Sequence, residues 1–186
     1  MNIKFVFGFL TLALASPLAT AVMAQDGCPQ GTYSVVNSPD GTALSILFDA
    51  FLVSAGDEQK QCSLSVPLHL PEGYSLGVYR VDYRGYAHLA RKETSELTVD
   101  YQLGPRNKGR HFRRTTKGEH DGEFLFTENI GAGLMKRVGC GDEAVLNVSV
   151  KLALTGAGEA MATLDSADGA AKGGLIYYFD TKKCKP

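Results

Sequence analysis

The chain has 186 residues, with 19 Lys or Arg against 20 Asp or Glu, so its formal net charge at pH 7 is −1. This near-neutral balance excludes a uniformly basic or acidic protein and by itself indicates no partner. The length and a hydrophobic fraction of 44% suit one domain of ordinary size that buries most of its apolar surface.

Residues 1–24 have the composition of a secretory signal peptide. Lys4 supplies a positive start, and Phe5–Ala15 is an apolar run of the length of a signal-peptide core. A membrane anchor is the alternative, but this run is shorter than the ~20 residues that span a bilayer. We therefore predict cleavage after Ala24 and a single secreted domain over residues 25–186, extracellular or periplasmic, with no membrane span.

Four cysteines lie in the predicted mature chain: Cys28, Cys62, Cys140 and Cys184. An even number of cysteines in a secreted domain indicates two disulfides. A metal site is the weaker interpretation, because the chain has no Cys-X-X-Cys motif and its cysteines are widely spaced. Spacing leaves the connectivity open. Because Cys62 falls on the apolar face of its predicted strand, its disulfide is expected to be buried.

Apolar residues that alternate with polar ones predict a series of β-strands. In chain order the predicted strands are Thr42–Leu52, Cys62–Leu70, Leu76–Leu89, Glu96–Leu103, Phe124–Ile130, Ala144–Leu154, a weak Ala160–Leu164 and Leu175–Asp180. Pro67 indicates an edge strand or a bulge, and Ser38–Gly41 carries a turn signal. We predict an all-β fold, a single antiparallel β-sandwich or jelly-roll-like domain with two disulfides.

The strand Leu76–Leu89 shows the clearest alternation and is expected to be central. Its core face is predicted to carry Tyr79, Val81 and Tyr83, and its solvent face Val78, Arg80, Asp82, Arg84, Tyr86 and His88. In Ala144–Leu154 the same period predicts buried Leu146, Val148 and Val150 and exposed Asn147 and Lys151. Arg80, Arg84 and Tyr86 are candidate ligand contacts, because guanidinium groups and aromatic rings bind sugars and anions. The alternative is the ordinary polar side of a sheet.

A basic segment, Arg106–Lys117, lies in the polar stretch Gly104–Gly122, which is predicted to be a loop. Its six cations are Arg106, Lys108, Arg110, Arg113, Arg114 and Lys117, with no acidic residue among them. The rest of the predicted mature chain has 12 basic and 20 acidic residues, a formal charge of −8. This contrast predicts an anionic polysaccharide or cell-surface partner, and secretion makes nucleic acid the least expected one. The alternative is a solvated loop that keeps a sheet edge soluble.

Motifs with chemistry are scarce. The chain has no nucleophile elbow, His-Glu-X-X-His, phosphate-loop or Gly-X-Gly-X-X-Gly motif, so no catalytic residue, metal site or cofactor is predicted. Glu119–Glu123 and Asp165–Gly169 contain potential cation ligands, but both are interpreted as polar turns, with Asp121 and Gly122 at a hairpin tip. Asn147-Val148-Ser149 is an N-glycosylation acceptor sequence that matters only in a host that glycosylates secreted proteins.

A series of short motifs follows along the chain. They are Ser38–Leu44 before a strand ending Phe48-Asp49, Lys60–Cys62, Pro71–Tyr74, Val81–Leu89, Cys140-Gly141, Leu146–Val148 and Lys183-Cys184. In this order they resemble the secreted microbial family known as domain of unknown function 4360, over essentially the whole of residues 28–184. The chain is shorter than the family pattern between Gln102 and Met135, and it has Tyr178–Asp180 where a tryptophan is frequent. The resemblance implies a small secreted, disulfide-bonded, β-rich protein and supplies no activity or catalytic residue.

Three hypotheses of function follow. The first is a noncatalytic extracellular or cell-surface protein that binds an anionic glycan or another surface ligand. The second is a secreted hydrolase that uses carboxylates such as Asp49 and Asp82, which must stand at a fixed separation across a cleft. The third is a secreted inhibitor or effector protein. A concave site with converging ionisable groups favours a hydrolase, whereas a flat polar or aromatic strip favours binding.

Overall fold

The computed structural model describes residues 27–54, 56–131, 136–141, 143–156, 158–164 and 173–185. The predicted signal peptide and the predicted turn Asp165–Gly169 lie outside these residues. None of the described residues belongs to a helix that is long and apolar enough to cross a membrane.

The part of the chain that the structure describes forms twelve β-strands. Their bounds are β1 Tyr33–Asn37, β2 Ala43–Phe48, β3 Leu52–Ser54, β4 Gln59–Pro67, β5 Tyr74–Leu89, β6 Thr94–Leu103, β7 Arg110–Lys117, β8 His120–Asn129, β9 Val138–Gly139, β10 Val145–Thr155, β11 Met161–Thr163 and β12 Gly174–Lys183. The predicted turn at Ser38–Gly41 joins β1 to β2, and the Gly41 N–H donates to the Ser38 carbonyl over 2.9 Å. β1 was not expected from the sequence, because its residues lie at the surface and show no alternation of burial.

The strands form two antiparallel sheets. In the larger sheet the order β1-β2-β12-β5 continues through β11 to β3, and β8 and β9 also pair with β5. Residues 80–84 of β5 pair with both β12 and β8, so these two neighbours lie on opposite edges of β5. The smaller sheet has the order β4-β10-β6-β7. The predicted antiparallel β-sandwich is therefore confirmed, and Pro67 ends an edge strand.

The core lies between the sheets and consists of the inward residues of both. Its largest fully buried side chains are Tyr83, Tyr101, Tyr177, Phe51, Leu44, Ile46, Leu97, Leu103, Leu146, Leu152, Leu164 and Leu175. The predicted burial of Val81, Tyr83, Leu146, Val148 and Val150 is confirmed. Asn147 is exposed as predicted, whereas Arg80, Arg84 and Lys151 point outward but are half-buried. Neighbouring side chains on the same sheet faces therefore cover part of these long residues.

A β-bulge changes the predicted faces at the start of β5. Tyr178 pairs with Arg80 and Phe179 with Val78, so Tyr79 has no partner in β12. An extra residue moves the preceding side chains to the opposite face. The prediction was therefore wrong for Tyr79, which is 46% exposed, and for Val78, which is buried.

The predicted basic loop is largely a strand. Residues Arg110–Lys117 form β7 and pair with β6, and Phe112 is buried against Tyr83 with ring centroids 4.1 Å apart. The alternation was hidden because Phe112 is the one apolar residue in this strand. The prediction of a hairpin tip at Asp121 and Gly122 was also wrong. Both residues lie within β8, and the chain passes between the sheets just before it.

Two disulfides connect the described cysteines. Cys28 is bonded to Cys62 and Cys140 to Cys184, which settles the connectivity that spacing left open. Cys62 is fully buried, as its position on the apolar face of β4 predicts. The first disulfide holds the segment before β1 against β4. The second joins the residue after β9 to the residue after β12, which ties both chain segments beside the start of β5.

Candidate functional site

The outer face of the smaller sheet carries a polar surface built from all four strands. Antiparallel pairing aligns outward side chains into rows across the sheet. One row contains Ser63, Ser149, Asp100 and His111, and the adjacent row contains Ser65, Asn147 and Gln102. A groove of about 660 Å³ lies over both rows. We call this surface the polar groove and define it by these seven residues.

Hydrogen bonds hold most of the polar groove in place. Ser63 and Ser149 join their hydroxyls over 3.2 Å, and Gln102 Nε2 donates to the Asn107 carbonyl over 2.7 Å. His111 Nδ1 lies 2.7 Å from Asp100 Oδ1. Asn147 is exposed, and its side-chain amide has no hydrogen bond within the described part of the chain. The polar groove therefore contains side chains that hydrogen bonds hold in place and others, such as the Asn147 amide, that can still bind a ligand.

The order of residues in the polar groove does not form a nucleophilic triad. A serine hydrolase needs the imidazole between the hydroxyl and the carboxylate, so that it can take the hydroxyl proton. Here Asp100 stands between Ser149 and His111, and these two are two strand spacings apart, roughly 10 Å. His111 and Asp100 are also more than half exposed. The arrangement offers donors and acceptors to a ligand but no activated nucleophile.

The basic segment of the sequence is divided by β7 between the interior and the surface. Arg110 points inward and binds Glu128 of β8, with Nη2 to Oε1 at 2.8 Å, while Arg113 binds Glu96 on the outer face at 2.6 Å. Arg114 lies over the ring of Phe112 at 4.8 Å. The hypothesis of six unopposed positive charges was therefore wrong, because acidic residues remote in sequence oppose two of them.

The remaining cations stay at the surface of the smaller sheet. Lys108, Arg114 and Lys117 are exposed and make no ion pair with a described carboxylate, and Arg106 is exposed in the turn before β7. Because β7 is the last strand in the order of the smaller sheet, these charges lie along a sheet edge. This position suits both a contact with an anionic ligand and protection of the edge against association.

Glu128 connects the two sheets in the interior. Its Oε2 accepts hydrogen bonds from the hydroxyls of Tyr83 at 2.9 Å and Tyr101 at 3.0 Å, while Oε1 binds Arg110. Burial, together with the nearby carboxylate, raises the pKa of Tyr101 well above its ordinary value of 10. The Arg110 guanidinium therefore belongs to the fold, although the backbone of Arg110 lines the polar groove.

The outer face of the larger sheet carries the other predicted ligand contacts. Arg80 binds Asp82 through Nε at 2.9 Å and Nη2 at 2.5 Å, and its guanidinium lies 4.8 Å from the centre of the Tyr178 ring. Asp82 also accepts from Thr127 at 2.8 Å and Tyr178 at 3.3 Å. The prediction that Asp82 faces solvent was wrong, because these three residues cover its carboxylate completely.

The charge of Asp82 is stabilised by its partners. Burial alone raises the pKa of a carboxyl group, but the hydrogen bonds from Arg80 and Thr127 outweigh this effect. The pKa of Asp82 is consequently held below its ordinary value of 3.8. A carboxylate that is saturated with donors in this way has no free lone pair for a substrate, so Asp82 is poorly suited to the catalytic role of the hydrolase hypothesis.

Further along the same face, Tyr86 donates from its hydroxyl to Asp121, and His88 lies 3.4 Å from that carboxylate. Arg84 is half-buried, and its Nε donates to no acceptor among the described residues. The structure thus separates Arg80, Arg84 and Tyr86 from the basic strand, which belongs to the other sheet. Nor do the described residues bring together three metal-ligating side chains in a group that could hold a metal ion.

Sequence reasoning missed most of the polar groove. Its residues come from strands β4, β6, β7 and β10, which are separated by up to 86 positions, as for Ser63 and Ser149. The outward polar residues of β4 and β10 carry a readable two-residue period. Their assembly into rows depends on which strands pair, and the period contains no information about pairing.

Comparisons with known proteins give a family and a relative. The sequence profile of the family described as Domain of unknown function (DUF4360) matches residues 19–184. An "Uncharacterized secreted protein" of Arthroderma benhamiae is 27% identical over 135 residues, which cover 69% of this chain and 55% of the relative. The matched region is thus little more than half of that protein's length. The relative's name and the two disulfides confirm the prediction of a secreted protein.

The similarity of the chain to solved structures is distant. TmCBM61 in complex with beta-1,4-galactotriose has 16% sequence identity and a TM-score of 0.31, with 83% of each chain covered. A likeness at this level says nothing about what the present chain binds.

Proposed function

We propose that this protein, which belongs to the family described as Domain of unknown function (DUF4360), is a noncatalytic secreted protein that binds a polysaccharide in the polar groove. The observation that carries the proposal is the pair of cross-strand rows beneath a groove of about 660 Å³. Six of the seven side chains can both donate and accept hydrogen bonds, and His111 does so through its two ring nitrogens. The Asp100 carboxylate only accepts.

Sugar hydroxyl groups have the same double character. A hydroxyl can donate to a serine or amide oxygen while it accepts from an amide N–H, so a row of Ser, Asn and Gln matches a row of hydroxyls. The bonds Ser63–Ser149 and Gln102–Asn107 fix the groove before a ligand arrives. Such preorganisation lowers the entropy cost of binding. The surface is open and shallow, which suits a chain rather than a small enclosed molecule.

We further propose that the polysaccharide is acidic. Lys108, Arg114 and Lys117 leave positive charge before and along β7, the edge strand that supplies His111 to the groove, and no acidic residue occurs between residues 106 and 117. Long-range attraction of this kind is screened by salt, because the Debye length falls from ~10 Å at 0.1 M to ~3 Å at 1 M. An acidic ligand should therefore bind more weakly at high salt, and a neutral one should not.

The groove is tested by matched substitutions of side-chain amides, two inside it and two outside it. Protein from a bacterial periplasm is compared with its Asn147→Ala and Gln102→Ala variants for retention on immobilised acidic and neutral polysaccharides. Two variants serve as controls: Asn129→Ala on the larger sheet, and Gln59→Ala on the same face as the groove but outside it. We expect the groove variants to lose at least about tenfold in affinity, as for the loss of one well-made hydrogen bond. Equal retention of all five proteins would disprove the site.

The acidic preference is tested separately. The double variant Lys108→Gln with Lys117→Gln removes charge without opening either arginine ion pair, whereas replacement of Arg110 would leave Glu128 unpaired inside the protein. We expect this variant to bind the acidic polysaccharide more weakly than wild type at 0.1 M salt and about equally at 1 M. If the two proteins bind alike at both salt concentrations, the basic edge serves only to keep β7 soluble.

A further inference from the structure

The acceptor sequence Asn147-Val148-Ser149 lies inside the polar groove. It is the single Asn-X-Ser/Thr sequence in the 186 residues that has no proline at the middle position. Asn147 lies on β10, one of the two middle strands of the smaller sheet, between Ser65 of β4 and Gln102 of β6. We propose that Asn147 carries an N-linked glycan when the chain passes through a glycosylating secretory pathway, and that this glycan closes the groove. The closing of the groove rests on the proposed function; the attachment does not.

The geometry of β10 permits the modification. An N-linked glycan needs an asparagine whose side chain reaches solvent in the folded protein. Asn147 is exposed and points outward, whereas its neighbours Leu146 and Val148 are buried beneath the sheet. Its amide has no hydrogen bond in the described part of the chain, so attachment breaks no contact there. The folded β-sandwich can therefore hold the sugar without rearrangement.

The chemistry is the transfer of an oligosaccharide from a lipid diphosphate donor by the host's oligosaccharyltransferase. A bond forms between Asn147 Nδ2 and the anomeric carbon of the first sugar, and the bond from that carbon to the diphosphate oxygen breaks. The amide loses one proton, and the lipid diphosphate leaves with the bonding electron pair. No oxidant or reductant takes part. The hydroxyl of Ser149 belongs to the sequence that the enzyme recognises.

Attachment at this position has a direct consequence for binding. The first sugar begins in the row that contains Ser65 and Gln102, and the row of Ser63, Ser149 and Asp100 is adjacent to it. A covalent sugar chain at this place competes with any external polysaccharide for the same hydrogen-bonding groups. Because the glycan is covalent, a modified molecule does not return to the open form, so the fraction of molecules glycosylated at Asn147 sets the binding capacity of a secreted population.

The attachment is tested by intact mass. Wild type, Ser149→Ala and Ser149→Thr are secreted from yeast and measured before and after treatment with endoglycosidase H. For wild type and Ser149→Thr we expect a mass above that of the polypeptide, which falls on treatment to the polypeptide plus one N-acetylglucosamine. For Ser149→Ala we expect the mass of the polypeptide alone. A wild-type protein at polypeptide mass would overturn the modification site.

The closing of the groove is tested on the same proteins. Each is compared with its counterpart from a bacterial periplasm, which has no added glycan, on the acidic polysaccharide used above. We expect glycosylated wild type to bind at least about tenfold more weakly than the periplasmic protein. The Ser149→Ala protein lacks one groove hydroxyl in both preparations, so it is compared only with itself and should bind equally from the two hosts. Equal binding of both wild-type forms would refute the closing alone. If the periplasmic protein itself does not bind, the proposed function fails while the mass result stands.

Discussion

The two outer faces of the sandwich differ in how completely their polar groups satisfy one another. On the larger sheet, Asp82 receives hydrogen bonds from Arg80, Thr127 and Tyr178, and it has no exposed surface. On the smaller sheet, Asn147 is exposed without a hydrogen bond among the described residues. Both faces appear as the same polar alternation in the sequence. The difference shows that a row of charged residues can be closed to ligands, while a row of small uncharged ones remains open.

Removing the carboxylate of Glu128 should have the largest effect on stability. This group pairs with Arg110 and accepts from two buried tyrosines, so Glu128→Gln leaves a half-buried guanidinium without its counter-charge. We expect the free energy of unfolding to fall by about 3 kcal/mol in urea denaturation. The matched control Glu123→Gln, at an exposed position of the same strand, should change it by less than about 0.5 kcal/mol. Similar losses in both variants would mean that the Arg110–Glu128 pair stabilises the fold no more than a surface charge does.

A pair of aspartate substitutions addresses the comparison of the faces directly. Asp82→Asn on the larger sheet removes a fully buried charge that several donors surround, and should lower the free energy of unfolding by about 2 kcal/mol. Asp100→Asn on the smaller sheet affects a carboxylate that is 60% exposed and pairs with His111 alone among the described residues. Its effect should be below about 0.5 kcal/mol. The contrast between the faces is lost if the two variants are equally stable.

Acid should lower the free energy of unfolding through the carboxylate of Asp82. The pKa of Asp82 in the folded protein lies below 3.8, so the unfolded chain binds a proton more readily than the folded one. The stability from this group is present above about pH 4 and decreases as the pH falls through the folded pKa. Urea denaturation between pH 5 and pH 2 should therefore show a steeper loss for wild type than for Asp82→Asn. Parallel curves would contradict the role of Asp82.

The smallest effect is expected at Arg84. Its Nε has no acceptor among the described residues, so Arg84→Met loses no hydrogen bond to them from that atom and retains an apolar stem against the sheet. The free energy of unfolding should change by less than about 0.5 kcal/mol. Arg80→Met, which breaks both bonds to Asp82, should be clearly less stable in the same measurement. The ligand contacts predicted for Arg80, Arg84 and Tyr86 remain a prediction for this second surface, and the Arg84→Met variant is suited to test them.

Much of the fold could be predicted because the two-residue period reports burial. Strands such as β5, β6 and β10 have one apolar face, and Val81, Leu146 and Val150 were assigned correctly from this period. The period fails where one face has few apolar residues, as in β7, or where an extra residue such as Tyr79 shifts it. Disulfide connectivity also lay beyond it, since spacing does not tell which cysteines meet.

The candidate site was less predictable, because it depends on contacts between distant strands. The cations of β7 looked unopposed in the sequence, yet Glu96 on the adjacent strand β6 and Glu128 on β8 of the other sheet pair with two of them. Asp82 looked exposed, yet Thr127 and Tyr178 reach it from β8 and β12. Each error concerns a partner that only strand pairing or the packing of the two sheets brings near.

The connectivity of the disulfides also has a consequence for the kinetics of folding. The Cys28–Cys62 and Cys140–Cys184 bonds close two separate loops, and the chain between Cys62 and Cys140, which contains all of β5, belongs to neither. Pairing of β5 with β12 and of β4 with β10 joins strands that no single disulfide loop contains, because β10 and β12 lie inside the Cys140–Cys184 loop and β4 and β5 lie outside it. Such long-range pairing is slow because the chain must close large loops before any contact compensates for the lost entropy. Disulfide formation therefore lowers the entropy cost of contacts within each end of the chain. The entropy cost of pairing β5 with β12, which assembles the larger sheet, stays almost the same as in the reduced protein.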